Sequence, residues 1–494
     1  MKSVWSDEVS FEKKESLEQD IKVDTVVIGA GIAGILTGYL LQEQGIEVII
    51  IEGNQIASGV TKNTTAKITS QHDLIYHKLI DQIGVDQATW YAFANQKAIE
   101  TYKEIISKEN IDCEFEEKSS YIYSRENQEI IEQEVEAASR VGILADFVAG
   151  LQLPFDTKAA IRFNGQAQFN PLKFLLPLSK KLTIYENTLA VHVEKNTVYT
   201  SKAKIVAKHI IVATHYPFIN IPGYYFMRMH QERSYVIALE CGEGDPEKLV
   251  FDSMREEWNL DGMYLDADKD GYSFRTYKNL LLLGGSGHRT GENHIGGCYE
   301  RLREKAREWY PNARERYHWS AQDCMTLDSI PYIGLYSSST PNMYVATGFK
   351  KWGMTSSMVS AMIIRDRICG NENDYMEVFS PQRFHLSASA TNLMKDGAKS
   401  VAGLTKGMLK IPKEKLEELP SGHGGIVEYE GEKYGVYKDE EGECFFVSAK
   451  CAHLGCQLEW NPDELTWDCP CHGSRYDIRG KVISNPAIND IGIE

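Results

Sequence analysis

Residues 23–40 read VDTVVIGAGIAGILTGYL, and their reading decides the fold of the first two thirds of the chain. The β-branched run at 23–28 predicts a buried strand. Gly29, Gly31 and Gly34 follow, then a helix-like stretch to Gln44, a stop at Gly45 and a second buried-type strand, IEVIII (46–51). Glu52 closes that strand, 18 residues past Gly34. Each part has a physical use. The glycines permit a tight turn, close approach of backbone to a pyrophosphate and close helix–strand packing. The helix start offers unpaired N–H groups to phosphates. A carboxylate at the tip of the second strand can bond ribose hydroxyls. The order strand, glycines, helix, strand, acid predicts a dinucleotide site, where the glycine motif alone would be weak.

Directly after the acid comes ASGVTKNTTAKITSQH (57–72), a polar loop rich in Ser, Thr and Gly. Such a loop suits a second phosphate-contacting segment for a flavin dinucleotide, with Ser58, Gly59 and Thr65 as candidate contacts. Further on, KIVAKHIIVATHYP (204–217) predicts a strand pair ending at Ala213. DCMTLDSIPYIGLY (323–336) and NMYVATGFKKWGMTSSMVSAMIIRDRI (342–368) predict a strand, a glycine turn and a helix. No second glycine motif followed by an acid is present. LLLLGGSGHRTGE (280–292) has the wrong spacing, so a separate nicotinamide-nucleotide domain is not expected.

These segments resemble the D-amino-acid-oxidase-like, glycine-oxidase-like group of FAD-dependent oxidoreductases. The resemblance implies FAD, with Gly348, Gly353, Met354 and Thr355 at a helix start facing the flavin pyrimidine edge; no cysteine stands where it would signal covalent attachment, so non-covalent FAD is expected. It places Asp328 and Gly334 in the segment before that strand, and Val193 as a backbone contact to adenine. It implies an α/β FAD-binding domain, Rossmann-like and of glutathione-reductase type, over about 21–372. Insertions at about 75–155 and 224–320 would form an antiparallel β-rich substrate domain. RSYVIALE (233–240), GYSFRTYK (271–278) and NLLLLGG (279–285) read as its strands. Candidates for the flavin face are Lys350, Lys351, Trp352, His72, Arg275 and His288. Lys67 and His72 fall in a stretch resembling one found where such a flavin domain is fused to a second cofactor domain. Lys67, His72 and Lys351 are therefore the candidate catalytic residues. A packed loop histidine is the plainer reading of His72, and a solvated pair that of Lys350 and Lys351.

The other informative stretch is CAHLGCQLEWNPDELTWDCPCHGSRY, Cys451 to Tyr476, with four cysteines and two histidines in 26 residues. Cys451 with His453, and Cys469 with His472, are two ligand pairs with 15 residues between His453 and Cys469. Zinc accepts such a set. Zinc leaves Cys456 and Cys471 without a use. The loops together resemble the Rieske [2Fe–2S] domain of cytochrome bc-type complexes, in which two cysteines hold one iron and two histidines the other. That resemblance implies a small all-β domain over about 412–494, joined through 373–411. It implies ligands Cys451, His453, Cys469 and His472, a Cys456–Cys471 disulfide, and hydrogen bonds to the cluster from Ser474 and Tyr476. NPA (485–487) resembles the loop covering the cluster.

A Rieske site also occurs in oxygenases, which need a second iron held by two histidines and an acid. His72 and His77 have a suitable spacing, but the position expected for the acid is Thr69, so that reading fails.

Composition agrees with a soluble multidomain chain of 494 residues, 43% hydrophobic and 25% charged. The net charge of −17 argues against nucleic acid as a partner. No apolar run is long enough for a transmembrane segment, and the first residues lack a secretory pattern, so a cytoplasmic location is expected. Six further cysteines (113, 241, 298, 324, 369, 444) read as buried free thiols.

The whole predicts oxidation of a small amine or amino-acid-like substrate by hydride transfer to FAD. Electrons then pass singly through the cluster to or from an external protein or quinone. An oxygen-using amine oxidase with a structural Rieske domain, or a flavin and iron–sulfur redox sensor, are the alternatives.

Overall fold

The computed structural model describes residues 2–241, 260–268, 271–383 and 414–493. The quoted stretch forms the strand Ile21–Ile28 and the helix Ile32–Gln42. That strand lies inside a mostly parallel sheet. It is flanked by Lys204–Val212 and Val48–Ile51, with Met343–Thr347 and Thr183–Tyr185 outside them, all parallel. Tyr332–Leu335 closes one edge antiparallel. Buried Val and Ile dominate these strands because helices cover the sheet. The helix Gly353–Cys369 carries no charge before Arg365 and is buried over most of its length against Ile32–Gln42.

A second sheet runs in the order Ala313–Thr326, Met229–Cys241, Leu280–Arg289, Ser273–Tyr277, Gly262–Asp266, Glu116–Ser124, Ala159–Gln168, Lys67–Ile68. The three strands expected at 233–285 are present. The sheet is not purely antiparallel, because Gly262–Asp266 pairs parallel to Glu116–Ser124. The segment 75–155, expected to be β-rich, is largely helix: Tyr76–Glu109, kinked at Gly84, and Glu129–Arg140. The buried residues Ala88, Tyr91, Ala92, Asn95, Ala98, Ile99, Tyr102 and Ile105 recur every three or four positions. That is a helical stripe, and it outweighs the β-rich neighbourhood.

The C-terminal part is all β, two four-stranded sheets. Of the expected joint 373–411, residues 373–383 pack on the flavin-type domain, where Arg383 is buried against Asp328; 384–411 lie outside the described residues. Cys113, Cys298 and Cys324 are buried free thiols as expected, but Cys369 is exposed and Cys444 half-buried, because each ends or begins an element near the surface. Cys241 carries no described side chain. No described helix is long and apolar enough to cross a membrane.

Candidate functional site: a dinucleotide cavity walled by the cluster domain

A cavity of about 1440 Å³ is lined by both large sheets and by the C-terminal domain. Its floor is the glycine turn. Gly29 has φ +110°, and a Cβ there would sit 2.5 Å from the Ala213 carbonyl oxygen. A Cβ on Gly34 would sit 1.9 Å from the Gly29 oxygen, so only glycine lets helix and strand approach this closely. Gly31, Ile32 and Ala33 line the cavity, so the positive end of the helix borders the space; its N-cap is a glycine, and the Ile32 N–H is taken by Thr61 Oγ1 at 3.1 Å, from another lining residue. Glu52 is on the wall, accepting from Ala30 N (2.8 Å) and Asn54 N (2.9 Å); burial holds its carboxyl above the usual range. Ser58, Gly59, Thr65 and Ala213 also line it. So do Gly353 and Met354, at the start of a second helix, whose N-cap Trp352 makes no side-chain capping bond.

Three expected contacts are elsewhere. Val193 packs beside the core of the parallel sheet; its strand, Ala190–Glu194, runs away from the cavity, and Leu189 and Ala190 line the wall instead. Asp328 accepts from Ile330 N and pairs with Arg383, and Gly334 lies against Pro381. Both serve the packing of 373–383. Gly348 and Thr355 shape the wall from behind. Gly348 has φ +73° in the turn, and Thr355 Oγ1 donates to Thr69 O at 2.9 Å.

Lys67 lines the cavity, donating to Tyr264 O (2.9 Å) and Ser273 Oγ (3.0 Å). Burial, with Arg275 nearby, lowers its pKa to about 7. Lys351 also lines it, half-exposed and 3.8 Å from Glu232; Lys350 is 3.9 Å from Asp73. His72 does not reach the cavity. Its Nδ1 meets Tyr91 OH at 2.7 Å, and its Nε2 meets Thr69 O and Thr355 Oγ1 at 2.7 and 3.0 Å. It stacks behind cavity-lining Trp352 at 5.0 Å, and burial lowers its pKa to about 3. It packs behind the wall rather than on it. Arg275 is buried and holds the Thr65 and Ala66 carbonyls, while His288 is tied to Tyr235. Sequence reasoning missed Arg233, Tyr235, Asp266, Ser273 and Asp323 on the wall. Burial raises Asp323 to about 7, with Lys351 opposing.

The two cysteine–histidine loops meet, as the resemblance implied. Cys456 and Cys471 form a disulfide that ties them. Cys451 and Cys469 are buried side by side. The His453 and His472 rings stand perpendicular at 4.9 Å. In both, Nδ1 is buried and has no protein partner. His453 Nε2 lies 2.8 Å from Asn220 Oδ1, an acceptor, which puts the proton on Nε2 and leaves Nδ1 a lone pair. Burial holds both imidazoles neutral, to about 4 and about 3. Tyr476 OH lies 3.3 Å from Cys451 Sγ, and Ser474 Oγ accepts from Ala487 N at 3.0 Å. Two thiols and two free, neutral Nδ1 atoms fit a [2Fe–2S] cluster, with hydroxyls beside its sulfur ligands.

The two sites share a wall. Lys481–Asn485 and 487–490 of the C-terminal domain line the cavity. Asn485 Nδ2 donates to Thr214 O at 2.7 Å. Glu464, also on the wall, is buried between Arg233 and Arg475 and accepts from Ser320. Burial alone would raise its pKa; the two guanidinium charges reverse this and bring it to about 2. Asp463 accepts from Gly297 N and Cys298 N, capping the helix Cys298–Trp309 from the other domain.

Residues 24–367 match the family model for FAD dependent oxidoreductases (DAO), and 410–493 that for the Rieske [2Fe-2S] domain. The chain belongs to the DAO family of FAD-dependent oxidoreductases and carries a C-terminal Rieske domain; it binds FAD and a [2Fe–2S] cluster. YhfW of Bacillus subtilis (strain 168), named for a Rieske 2Fe-2S iron–sulfur protein, is 37% identical over 99% of this chain and 96% of its own. The cytochrome b6-f complex iron-sulfur subunit of Synechococcus elongatus is 54% identical over 41 residues, 8% of this chain and 23% of that one. L-proline dehydrogenase from P. horikoshii shares the fold, with TM-score 0.60 and 17% identity over 74% of this chain and 98% of its own.

Proposed function

We propose that this oxidoreductase oxidises a C–H beside nitrogen in a small amine or amino-acid-like substrate and exports the electrons one at a time through its Rieske cluster to an external acceptor. When bound, FAD supplies a two-electron acceptor and the cluster a one-electron carrier. The carrying observation is the shared wall: residues 481–485 and 487–490 line the flavin cavity while Ala487 N donates to Ser474 Oγ, beside the candidate cluster ligands. In this reading Gly29, Gly31 and the two helix starts hold the dinucleotide's charge, and Glu52 holds ribose. Lys67 Nζ, with a pKa near 7, takes the proton from the substrate ammonium so that the nitrogen lone pair can assist hydride departure. Lys351 and Asp323 orient polar groups of the substrate. His72 positions Trp352.

The test is anaerobic titration of the holoenzyme with N-methylated amines and amino acids, following flavin absorbance and the cluster EPR signal together. The expected result is flavin bleaching with the reduced-cluster signal rising in step. Bleaching with a cluster that stays oxidised, and peroxide formed in air, would establish an oxygen-using oxidase instead.

A further inference from the structure

The relay reading needs a physical junction between cavity and cluster, and the side chain of Gln231 reaches from one to the other. Gln231 is on the strand Met229–Cys241, is 1% exposed, and lines the flavin cavity. Its Nε2 crosses the domain boundary, donating to His472 O at 2.7 Å and to Asn485 O at 3.1 Å. The first of these is the backbone of a cluster ligand; the second belongs to the loop that forms the shared wall. The approach is built in. Gly473 has φ +84°, and a Cβ there would sit 2.6 Å from the Gln231 Cβ. No larger residue than glycine lets the ligand loop come this near.

A second glutamine provides an internal control. Gln322 is buried on the neighbouring strand, lines the same cavity, and donates to Gly473 O at 2.7 Å. It anchors the same loop, but one residue beyond the ligand.

We propose that Gln231 is the electron-transfer junction of this protein, a positioning residue joining the flavin cavity to cluster ligand His472 by a single side chain and one hydrogen bond. Gln322 and the Arg233–Glu464–Arg475 group seat the domain. The inference rests on the relay reading. Each passage moves one electron: the flavin loses one and the iron pair gains one. An external one-electron acceptor, ferricyanide in an assay, reoxidises the cluster before the second passage. The two protons of substrate oxidation go to water. Replacing the amide by an aliphatic group removes the bonded contact and leaves a through-space gap, across which electron coupling is weaker.

The experiment uses the holoenzyme and no substrate. Flash photoreduction with 5-deazariboflavin injects one electron, and internal equilibration between flavin and cluster is followed optically. Gln231→Leu should slow equilibration at least tenfold, with FAD and iron content, EPR g values and both midpoint potentials unchanged. Gln322→Leu should slow it less than twofold. If Gln231→Leu does not retain its cluster, Gln231→Met carries the test: it keeps the unbranched length, has no donor for the His472 carbonyl, and should slow equilibration by the same factor. Equal slowing in the Gln231 and Gln322 variants, or none in the Gln231 variant, overturns the junction. A wild-type protein that shows no internal equilibration overturns the relay reading itself.

Discussion

The cluster site and the flavin cavity are assembled on opposite plans. All four candidate cluster ligands come from two loops within 26 residues of sequence, tied by one disulfide and flanked by local hydroxyls. The cavity draws its wall from segments between residue 28 and residue 490, and part of that wall belongs to the cluster domain. A compact site is fixed by its own loops. A dispersed one depends on how domains seat against each other, so the two should fail differently under mutation.

The largest effect expected is from Cys469→Ser. Removing one thiolate ligand should abolish the reduced-cluster EPR signal and turnover with a one-electron acceptor, while flavin still bleaches with reductant. Unchanged turnover with ferricyanide would show that the cluster is not on the electron path.

Next is Glu464→Ala, which attacks the seating. It leaves Arg233 and Arg475 buried without their shared carboxylate, a change that costs about 3–5 kcal/mol when a buried pair loses one partner. The glutamate's pKa of about 2 means its stabilisation is complete at pH 7 and fades only as pH falls from about 4.5 toward 2. Denaturant unfolding at pH 7 should show the loss, together with weaker FAD retention because Glu464 is also cavity wall. A loss below about 1 kcal/mol would mean the two domains are held mainly by their other contacts.

The same contrast explains what the sequence disclosed. The glycine turn was legible because a steric limit fixes residue type at fixed spacing, and the Cys456–Cys471 pair and the candidate cluster ligands through a compact motif whose resemblance to the Rieske loops is local. Val193 lies off the cavity wall because a strand's direction relative to the cavity is set by its sheet. The helix Tyr76–Glu109 carried a readable stripe of buried positions that the surrounding β pattern obscured. Arg233, Asp323 and Gln231 had no signal at all. Their roles arise from pairing Met229–Cys241 with Ala313–Thr326 and laying the cluster domain across the cavity, which is long-range geometry.

Within the cavity, Lys67 gives a sharper, pH-resolved test. Its folded pKa of about 7 lies below the ordinary 10.5, so between those values the unfolded chain holds a proton that the folded chain has released. Stability should therefore rise with pH across that window, by up to about 1.4 kcal/mol per pH unit, relative to Lys67→Met. Parallel pH profiles for the two proteins would show that Lys67 is charged in the cavity at neutral pH, and would remove it as the proton acceptor.

The smallest effect separates wall from ligand contact. His72 sits behind Trp352 with both ring nitrogens engaged by Tyr91, Thr69 and Thr355. His72→Asn should cost about 1–3 kcal/mol in stability, because it strands buried partners and loses the stack. The rate of flavin reduction by an amine should change less than tenfold, since nothing from His72 reaches the cavity. The pH dependence of that rate should not move either, because an imidazole with a pKa near 3 does not titrate in the working range. A hundredfold loss of flavin reduction with stability intact would put His72 at the substrate, and would mean the cavity wall rearranges when substrate binds.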